Sequence, residues 1–150
     1  MKRIFATTSA VLAIAGVAGL VGAERADATP PAGVTITLVR APDLTPDGWS
    51  AAGAIVDSGS WTSDNGHFGA LPSPKTGTTH LLTTETGRAG TFRIHFDGMF
   101  NPNDGSFGGQ WVIQDGTGVY ANLHGQGSWL RTFSLDGHLI FTCLGTLHFD

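Results

Sequence analysis

Cysteine is nearly absent from this chain of 150 residues, since Cys143 is the only one. An intramolecular disulfide is therefore excluded, and the folded chain has to be stabilised by the packing of its apolar side chains. Beyond residue 28, no stretch keeps the apolar spacing of an amphipathic helix for three turns, so the sequence does not predict a helical domain. Cys143 alternates with Leu139, Phe141, Leu147 and Phe149, which predicts a buried, unreactive thiol.

The sequence also lacks the motifs of several catalytic classes. Its six histidines, at positions 67, 80, 95, 124, 138 and 148, show no HxH, HxxxH or HExxH spacing, so no metal site is predicted. No G-x-S-x-G segment is present, which excludes the nucleophile elbow of an α/β-hydrolase. We therefore expect no metal and no other cofactor.

The first 28 residues have the organisation of a signal peptide. Lys2-Arg3 supplies a basic start, Ile4–Ala23 is an uncharged run of apolar and small residues, and Ala26-Asp27-Ala28 matches an A-x-A cleavage site. We predict a signal peptide at 1–28 and one domain at 29–150, secreted or otherwise extracytoplasmic and without stable membrane association after cleavage. Cleavage after Ala23 and an uncleaved membrane anchor are the alternatives.

Charge is scarce and mostly acidic. Charged residues make up 13% of the chain, and its formal net charge is −4. Removal of the first 28 residues would leave 122 residues with 5 basic and 10 acidic side chains, a net charge of about −5. Such a surface argues against nucleic acid and against anionic membranes as partners.

Alternation of apolar and polar residues recurs along the predicted domain and is interrupted by turn-forming dipeptides. Asp-Gly or Asn-Gly pairs, which favour tight hairpins, stand at 47–48, 65–66, 97–98, 104–105, 115–116 and 136–137. The predicted strands are Val34–Arg40, Trp49–Asp57, Thr78–Thr86, Thr91–Phe100, Ser106–Gln114, Gln126–Phe133 and His138–Phe149, with a short extra strand near Ser58–Thr62. They predict an all-β fold, a single antiparallel up-and-down β-barrel of about eight strands, with a sandwich as the alternative.

The most distinctive segment is a glycine-rich corner between two predicted strands. Gly116, Gly118, Gly125 and Gly127 mark positions where a positive φ or a close approach of the backbone is expected. Residues 116–121 also satisfy the dinucleotide fingerprint G-x-G-x-x-G/A, but that fingerprint requires a following helix. The two later glycines end any helix too early, so we expect no nucleotide binding.

The corner also carries the only tyrosine of the chain, Tyr120, close to Leu123. These two side chains are predicted to plug the end of the barrel. We expect the hydroxyl of Tyr120 to hydrogen bond to the backbone, with a catalytic role as the alternative.

The order of these residues resembles that of a known group of proteins. Trp-x-Val/Ile, then Gly-Thr-Gly-x-Tyr-Ala-x-Leu-x-Gly-x-Gly, then Gly-Thr-Leu-His-Phe-Asp in the last strand is similar to small, mostly uncharacterised exported bacterial barrel proteins of the allene oxide cyclase and dirigent superfamily. The resemblance covers Thr78–Asp150 and is most specific at 116–127. It implies an eight-stranded, calycin-like barrel with an apolar cavity, often oligomeric. In the plant enzymes of that superfamily the barrel steers a cyclisation or coupling without a cofactor, but no motif here matches their cavity residues.

Ionisable residues on one predicted strand are the first catalytic candidates. Arg93, His95 and Asp97 share a face. If that face lines the lumen, His95 would act as acid or base, Asp97 would orient it and Arg93 would hold an anionic group. If it faces outward, the three only solvate the strand. Glu85, on the preceding predicted strand, is a further candidate.

The motif His-Phe-Asp occurs twice, at 95–97 and at 148–150. On a strand, the histidine and aspartate of each copy share a face, so each copy is either an acid–base pair, half of a metal site, or a solvated ladder.

Candidate ligand contacts are Trp111, Phe68, Tyr120 and His124. Phe68 lies in the longest irregular segment, Ser63–Thr76, which is either a lid or a surface loop that packs on the barrel end.

Three functions remain open at this point. The first is binding of a small apolar molecule in the barrel or at its mouth. The second is a cofactor-free cyclase or isomerase, and the third is a structural or interaction protein with a filled barrel, including a homo-oligomer.

Overall fold

Eight antiparallel strands make up most of residues 28–64 and 77–150, the part of the chain that the computed structural model describes. The strands are β1 (Ala32–Arg40), β2 (Pro46–Gly53), β3 (Asp57–Ser63), β4 (Thr78–Thr86), β5 (Thr91–Phe100), β6 (Phe107–Gly116), β7 (Leu123–Phe133) and β8 (Leu139–Phe149). Each strand pairs with the next, and β8 pairs with β1, so the sheet closes into a barrel. The predicted eight-stranded antiparallel barrel is confirmed, and the sandwich alternative is wrong.

The predicted strand bounds hold to within a few residues. Strands β4 and β5 have the predicted bounds. Strand β7 begins at Leu123 instead of Gln126, because Gly125 continues the ladder with β8. Strand β2 ends at Gly53 instead of Asp57, since the φ of 110° at this glycine interrupts the extended backbone.

The inward-facing side chains of the strands meet in one core. Because successive residues of a strand point to opposite faces, the alternation read from the sequence separates this core from the outer wall. The buried hydrophobic residues are Val34, Ile36, Leu38, Trp49, Ala51, Ile55, Trp61, Leu81, Phe92, Ile94, Phe96, Phe107, Trp111, Ile113, Tyr120, Leu123, Trp129, Leu139, Phe141, Cys143 and Leu147. All four tryptophans of the chain belong to this core.

Trp111 lies across the inner wall of the barrel over two glycines. It is opposite Gly127 on β7, which is opposite Gly145 on β8. The indole N–H donates to the carbonyls of Ser128, at 3.1 Å, and Leu144, at 3.3 Å. A Cβ added to Gly145 would lie 2.6 Å from Cζ2 of the indole, so only glycine leaves room for the ring.

Trp129 repeats this arrangement on the neighbouring strands. It is opposite Gly109 on β6, which is opposite Gly98 on β5. Its N–H donates to the carbonyl of Asp97 at 3.1 Å, and a Cβ added to Gly98 would clash with the ring.

Trp49 provides the third case. It is opposite Gly59 on β3, its N–H donates to the carbonyl of Thr86 at 3.2 Å, and a Cβ added to Gly87 would lie 2.9 Å from its Cζ2. In all three cases the ring crosses one glycine, reaches a second, and its N–H bonds the carbonyl of the residue before that second glycine. Each buried indole N–H thereby finds an acceptor.

The glycine corner closes one end of the barrel. A single-turn 3-10 helix spans Gly118–Tyr120, and Gly118 has a φ of 62°. Tyr120 is buried with its ring 5.1 Å from that of Phe92, so the predicted plug is present. Its hydroxyl, however, donates to Oδ2 of Asp57 at 2.7 Å, and the expected bond to the backbone is wrong. Strand β7 follows at once, so the dinucleotide-like fingerprint has no phosphate-binding helix behind it.

No helix within residues 28–64 and 77–150 has the length and the apolar character needed to cross a bilayer.

The glycines that lie beneath the tryptophan rings lead to a first prediction. Replacement of Gly145 by alanine should lower the free energy of unfolding by about 1–3 kcal/mol or more, because the added methyl group overlaps the Trp111 ring and the backbone of β7. Gly33→Ala is the matched control, since nothing lies within 4 Å of a Cβ at that position. Urea unfolding followed by tryptophan fluorescence measures the difference, and equal losses in the two variants would contradict the steric explanation.

Candidate functional site

The barrel interior contains one polar wall, formed by Ser63 on β3 and by Thr83 and Glu85 on β4. Thr83 is opposite Ser63 in the ladder, and Glu85 follows two residues further along the same inward face. The side chains of Thr83 and Glu85 are fully buried. The strand alternation that buries Leu81 thus brings a hydroxyl and a carboxyl into the core.

Two polar atoms of this wall have no hydrogen-bond partner in the described part of the chain. Thr83 donates its hydroxyl to Oε1 of Glu85 at 2.5 Å. Oε2 of Glu85 and Oγ of Ser63 are buried and form no hydrogen bond with any described residue. Because an unpaired buried polar group costs free energy, a hydrogen bond to either atom would stabilise this wall.

Burial controls the charge of Glu85. Removal from water raises the pKa of this carboxyl to about 8, although the hydrogen bond from Thr83 acts in the opposite direction. The carboxyl is therefore mostly protonated at pH 7 and can donate a hydrogen bond as well as accept one.

Cys143 lies on β8 in the same interior. Burial raises the pKa of its thiol, and the nearby Glu85 adds to the shift. The thiol is fully buried and protonated, as expected for an unreactive core cysteine.

The ionisable face of β5 lies outside the barrel. The side chains of Arg93, His95 and Asp97 are 41%, 32% and 52% exposed, while their neighbours Phe92 and Ile94 are buried. The three therefore do not share the interior with Glu85. Of the four catalytic candidates, Glu85 alone lies inside.

Arg93 forms an ion pair with Asp115. Its guanidinium donates from Nε to Oδ1 of Asp115 at 2.8 Å and also bonds Oδ2. This carboxylate raises the pKa of Arg93, and the guanidinium in turn lowers the pKa of Asp115.

The four candidate ligand contacts are not brought together. Trp111 is buried in the core and Tyr120 is buried in the corner, with its hydroxyl taken by Asp57. His124 lies on the outer wall, where it lines a shallow depression of about 350 Å³ with His148. Phe68 lies outside the described residues.

Each His-Phe-Asp motif is joined by a histidine from the neighbouring strand. His80 on β4 is opposite Asp97 and contacts its carboxylate, while Nδ1 of His95 lies 3.4 Å from Oδ2 of the same carboxylate. In the second motif His124 joins His148 and Asp150, with Nε2 of His124 3.1 Å from Oδ2.

Some of these residues were not identified from the sequence. The inward positions of Ser63 and Thr83 follow from the alternation with Trp61 and Leu81, a signal that was available. The position of His80 beside Asp97 depends on the pairing of β4 with β5, which the sequence predicts only indirectly.

Two arginines lie against aromatic rings of the core. Arg40 is buried at the end of β1, with its guanidinium 5.2 Å from the centre of the Trp61 ring. Arg131 lies over Phe107 at 4.6 Å. Burial lowers the pKa of both guanidinium groups, and both contacts are of the cation–π type.

Comparison of the chain with protein-family models, with curated proteins and with solved structures finds no match. What the protein does must therefore be inferred from its own side chains.

The buried carboxyl leads to a second prediction, on how the free energy of unfolding depends on pH. Below pH 4.5, the ordinary value for this group, Glu85 is protonated in the folded and the unfolded chain. Between pH 4.5 and about 8 the unfolded chain releases this proton while the folded chain keeps it, so ionisation lowers the free energy of unfolding as pH rises. Glu85→Gln removes this effect. The variant should gain on the order of a few kcal/mol relative to the natural chain between pH 4.5 and 8.

Urea unfolding at a series of pH values measures this gain. Asp115→Asn is the control, because the pKa of this exposed carboxyl is lowered by Arg93 and its contribution stays constant above pH 5. A stability difference between Glu85→Gln and the natural chain that does not change with pH would show that the carboxyl is not held protonated.

Proposed function

We propose that the barrel binds a small, mostly apolar molecule that carries one hydrogen-bonding group, and that Glu85 and Ser63 hold this group. The observation that supports the proposal is a pair of buried polar atoms on one inner wall, Oε2 of Glu85 and Oγ of Ser63, that have no partner among residues 28–64 and 77–150. The binding function and the export expected from residues 1–28 are parts of the same proposal.

The energetic reason lies in the cost of burying Glu85. A carboxyl inside an aromatic core destabilises the fold by comparison with an apolar residue of the same size. Such a group is often retained because it binds something, and perturbed pKa values concentrate at functional sites. A protonated carboxyl presents an O–H donor and an acceptor, so it suits a hydroxyl, a carbonyl or a neutral amine.

The aromatic neighbours of Glu85 would contact the apolar part of the ligand. The carboxyl is flanked by its ladder partners Trp61 on β3 and Phe92 on β5, both buried. Rings on either side of a polar group are typical of small-molecule sites, where a few polar atoms orient a ligand held mainly by apolar contact.

A binding screen tests the proposal and gives a third prediction. N-phenylnaphthylamine, a lipophilic fluorescent probe with one N–H, should bind the full chain, and octanol should displace it better than octane. Glu85→Ala and Ser63→Ala should each weaken binding, by about tenfold for loss of one good hydrogen bond. Ser128→Ala, on the outer wall, is the matched control.

The outcomes separate the remaining functions. Equal displacement of the probe by octane and by octanol would contradict the proposal that the polar wall binds a hydrogen-bonding group. If neither the probe nor a wider lipophilic panel changes the tryptophan fluorescence, the filled-barrel function is supported instead.

A second candidate is a cofactor-free cyclase or isomerase that uses Glu85 as its acid. The observation that favours it is the pKa of about 8 of this carboxyl, because a general acid works best when its pKa is near the working pH. The version of this hypothesis that also placed Arg93 and His95 in the lumen is not retained, since those side chains lie on the outer wall.

This candidate leads to a fourth prediction. If a ligand found in the screen is also converted, Glu85→Gln should reduce turnover by about 10²-fold or more while binding is largely kept, because the amide retains a donor and an acceptor. Turnover that survives in Glu85→Gln would exclude the carboxyl as the acid, and the comparison is made by product analysis after incubation with each variant.

A further inference from the structure

We propose that His80, His95 and Asp97 form a binding site for a divalent transition-metal ion of the zinc type on the outer wall of the barrel. The sequence predicted no metal site, because its histidines have no metal-binding spacing. Pairing of β4 with β5 supplies the missing spacing, since it places His80 opposite Asp97.

The three side chains converge on one point. One ligand atom from each residue lies within 4.8 Å of the others, and this is the only such group of three among residues 28–64 and 77–150. His80 contacts Oδ1 of Asp97, and Nδ1 of His95 lies 3.4 Å from Oδ2. Ligand atoms bound at about 2.0–2.1 Å in a tetrahedral zinc site are about 3.3–3.4 Å apart, so small rotations of exposed side chains bring all three into range.

The donor set suits a borderline metal better than a hard one. Two imidazole nitrogens and one carboxylate oxygen are typical ligands of zinc and of similar divalent ions, whereas calcium and magnesium prefer oxygen alone. Three protein ligands leave at least one tetrahedral position for water or for a further ligand.

The backbone beneath the cluster is fixed before any metal binds. The β4–β5 ladder runs without a register shift from Thr78–Met99 to Thr86–Thr91. On the inner face Trp129 anchors this point of the wall, because its N–H donates to the carbonyl of Asp97. A rigid strand pair lowers the entropy cost of bringing the three ligands together.

The local charges favour a cation. Asp97 supplies a negative charge, and the nearest cationic side chain on the same face of β5, Arg93, is neutralised by its ion pair with Asp115. On the other side of Asp97, its ladder partner on β6 is the uncharged Gln110.

The second histidine cluster gives a natural comparison. His124 and His148 stack with ring centres 5.4 Å apart, and Asp150 bridges them, with Nε2 of His148 3.5 Å from Oδ1. Its composition matches that of the proposed site, but its ligand atoms do not converge in the same way.

Metal titration tests the proposal and is the fifth prediction. The full chain, without a histidine tag and stripped with EDTA, is titrated with Zn²⁺ by calorimetry at pH 7.5, because metal ions compete with protons for imidazole nitrogens at lower pH. One equivalent should bind with micromolar affinity. His80→Ala and Asp97→Ala should each weaken it by about tenfold or more, while His124→Ala and His148→Ala should leave this affinity unchanged.

Two further measurements distinguish loss of metal binding from loss of folding. His80 is 72% exposed, so His80→Ala should keep the melting temperature of the metal-free chain. Titration with Co²⁺ should give the intense visible absorption of a tetrahedral site in the natural chain and lose it in His80→Ala. The proposal is overturned if Zn²⁺ shows no saturable binding, if His80→Ala binds like the natural chain, or if only the His124 variant loses binding.

Discussion

The fold depends on the contact between an indole ring and the bare backbone of two glycines on neighbouring strands. An eight-stranded barrel has an interior just wide enough to be filled by side chains, and here it contains all four tryptophans of the chain. Three of them fit because they lie along the wall, with the N–H on a strand carbonyl and no Cβ beneath the ring. Side chains at those glycines would push the rings into the lumen, and the closed barrel would have to expand.

The aromatic filling also determines the electrostatics of Glu85. The carboxyl shares the interior with rings on both neighbouring strands, so water is excluded and its protonated form is favoured. A polar wall in such an interior costs stability, and a ligand that hydrogen bonds to it would recover part of that cost. Fold and proposed function are linked by the same fact, that large rings exclude solvent from a narrow barrel.

On the outer wall, the ion pairs of Arg93 and His80 are formed across neighbouring strands. Arg93 meets Asp115, and His80 meets Asp97. Residues directly opposite each other in an antiparallel pair have Cβ atoms about 5 Å apart, close enough for an ion pair or a shared metal. The chemistry of this surface is therefore set by ladder register, and the proposed metal site exists only where register brings the second histidine to the first motif.

Alternation and turn dipeptides act within a few residues, so the strands, the residues that share a face and the glycine corner were predictable from the sequence. Whether Arg93, His95 and Asp97 line the lumen was left open. The inward position of Glu85 was readable from the same alternation, although its burial was not. Three contacts became visible only in the folded barrel: Trp111 crosses to Gly145, the Tyr120 hydroxyl donates to Asp57 and His80 contacts Asp97. These contacts depend on which residues stand opposite one another once eight strands have closed, and strand pairing is a property of the whole barrel rather than of any local segment.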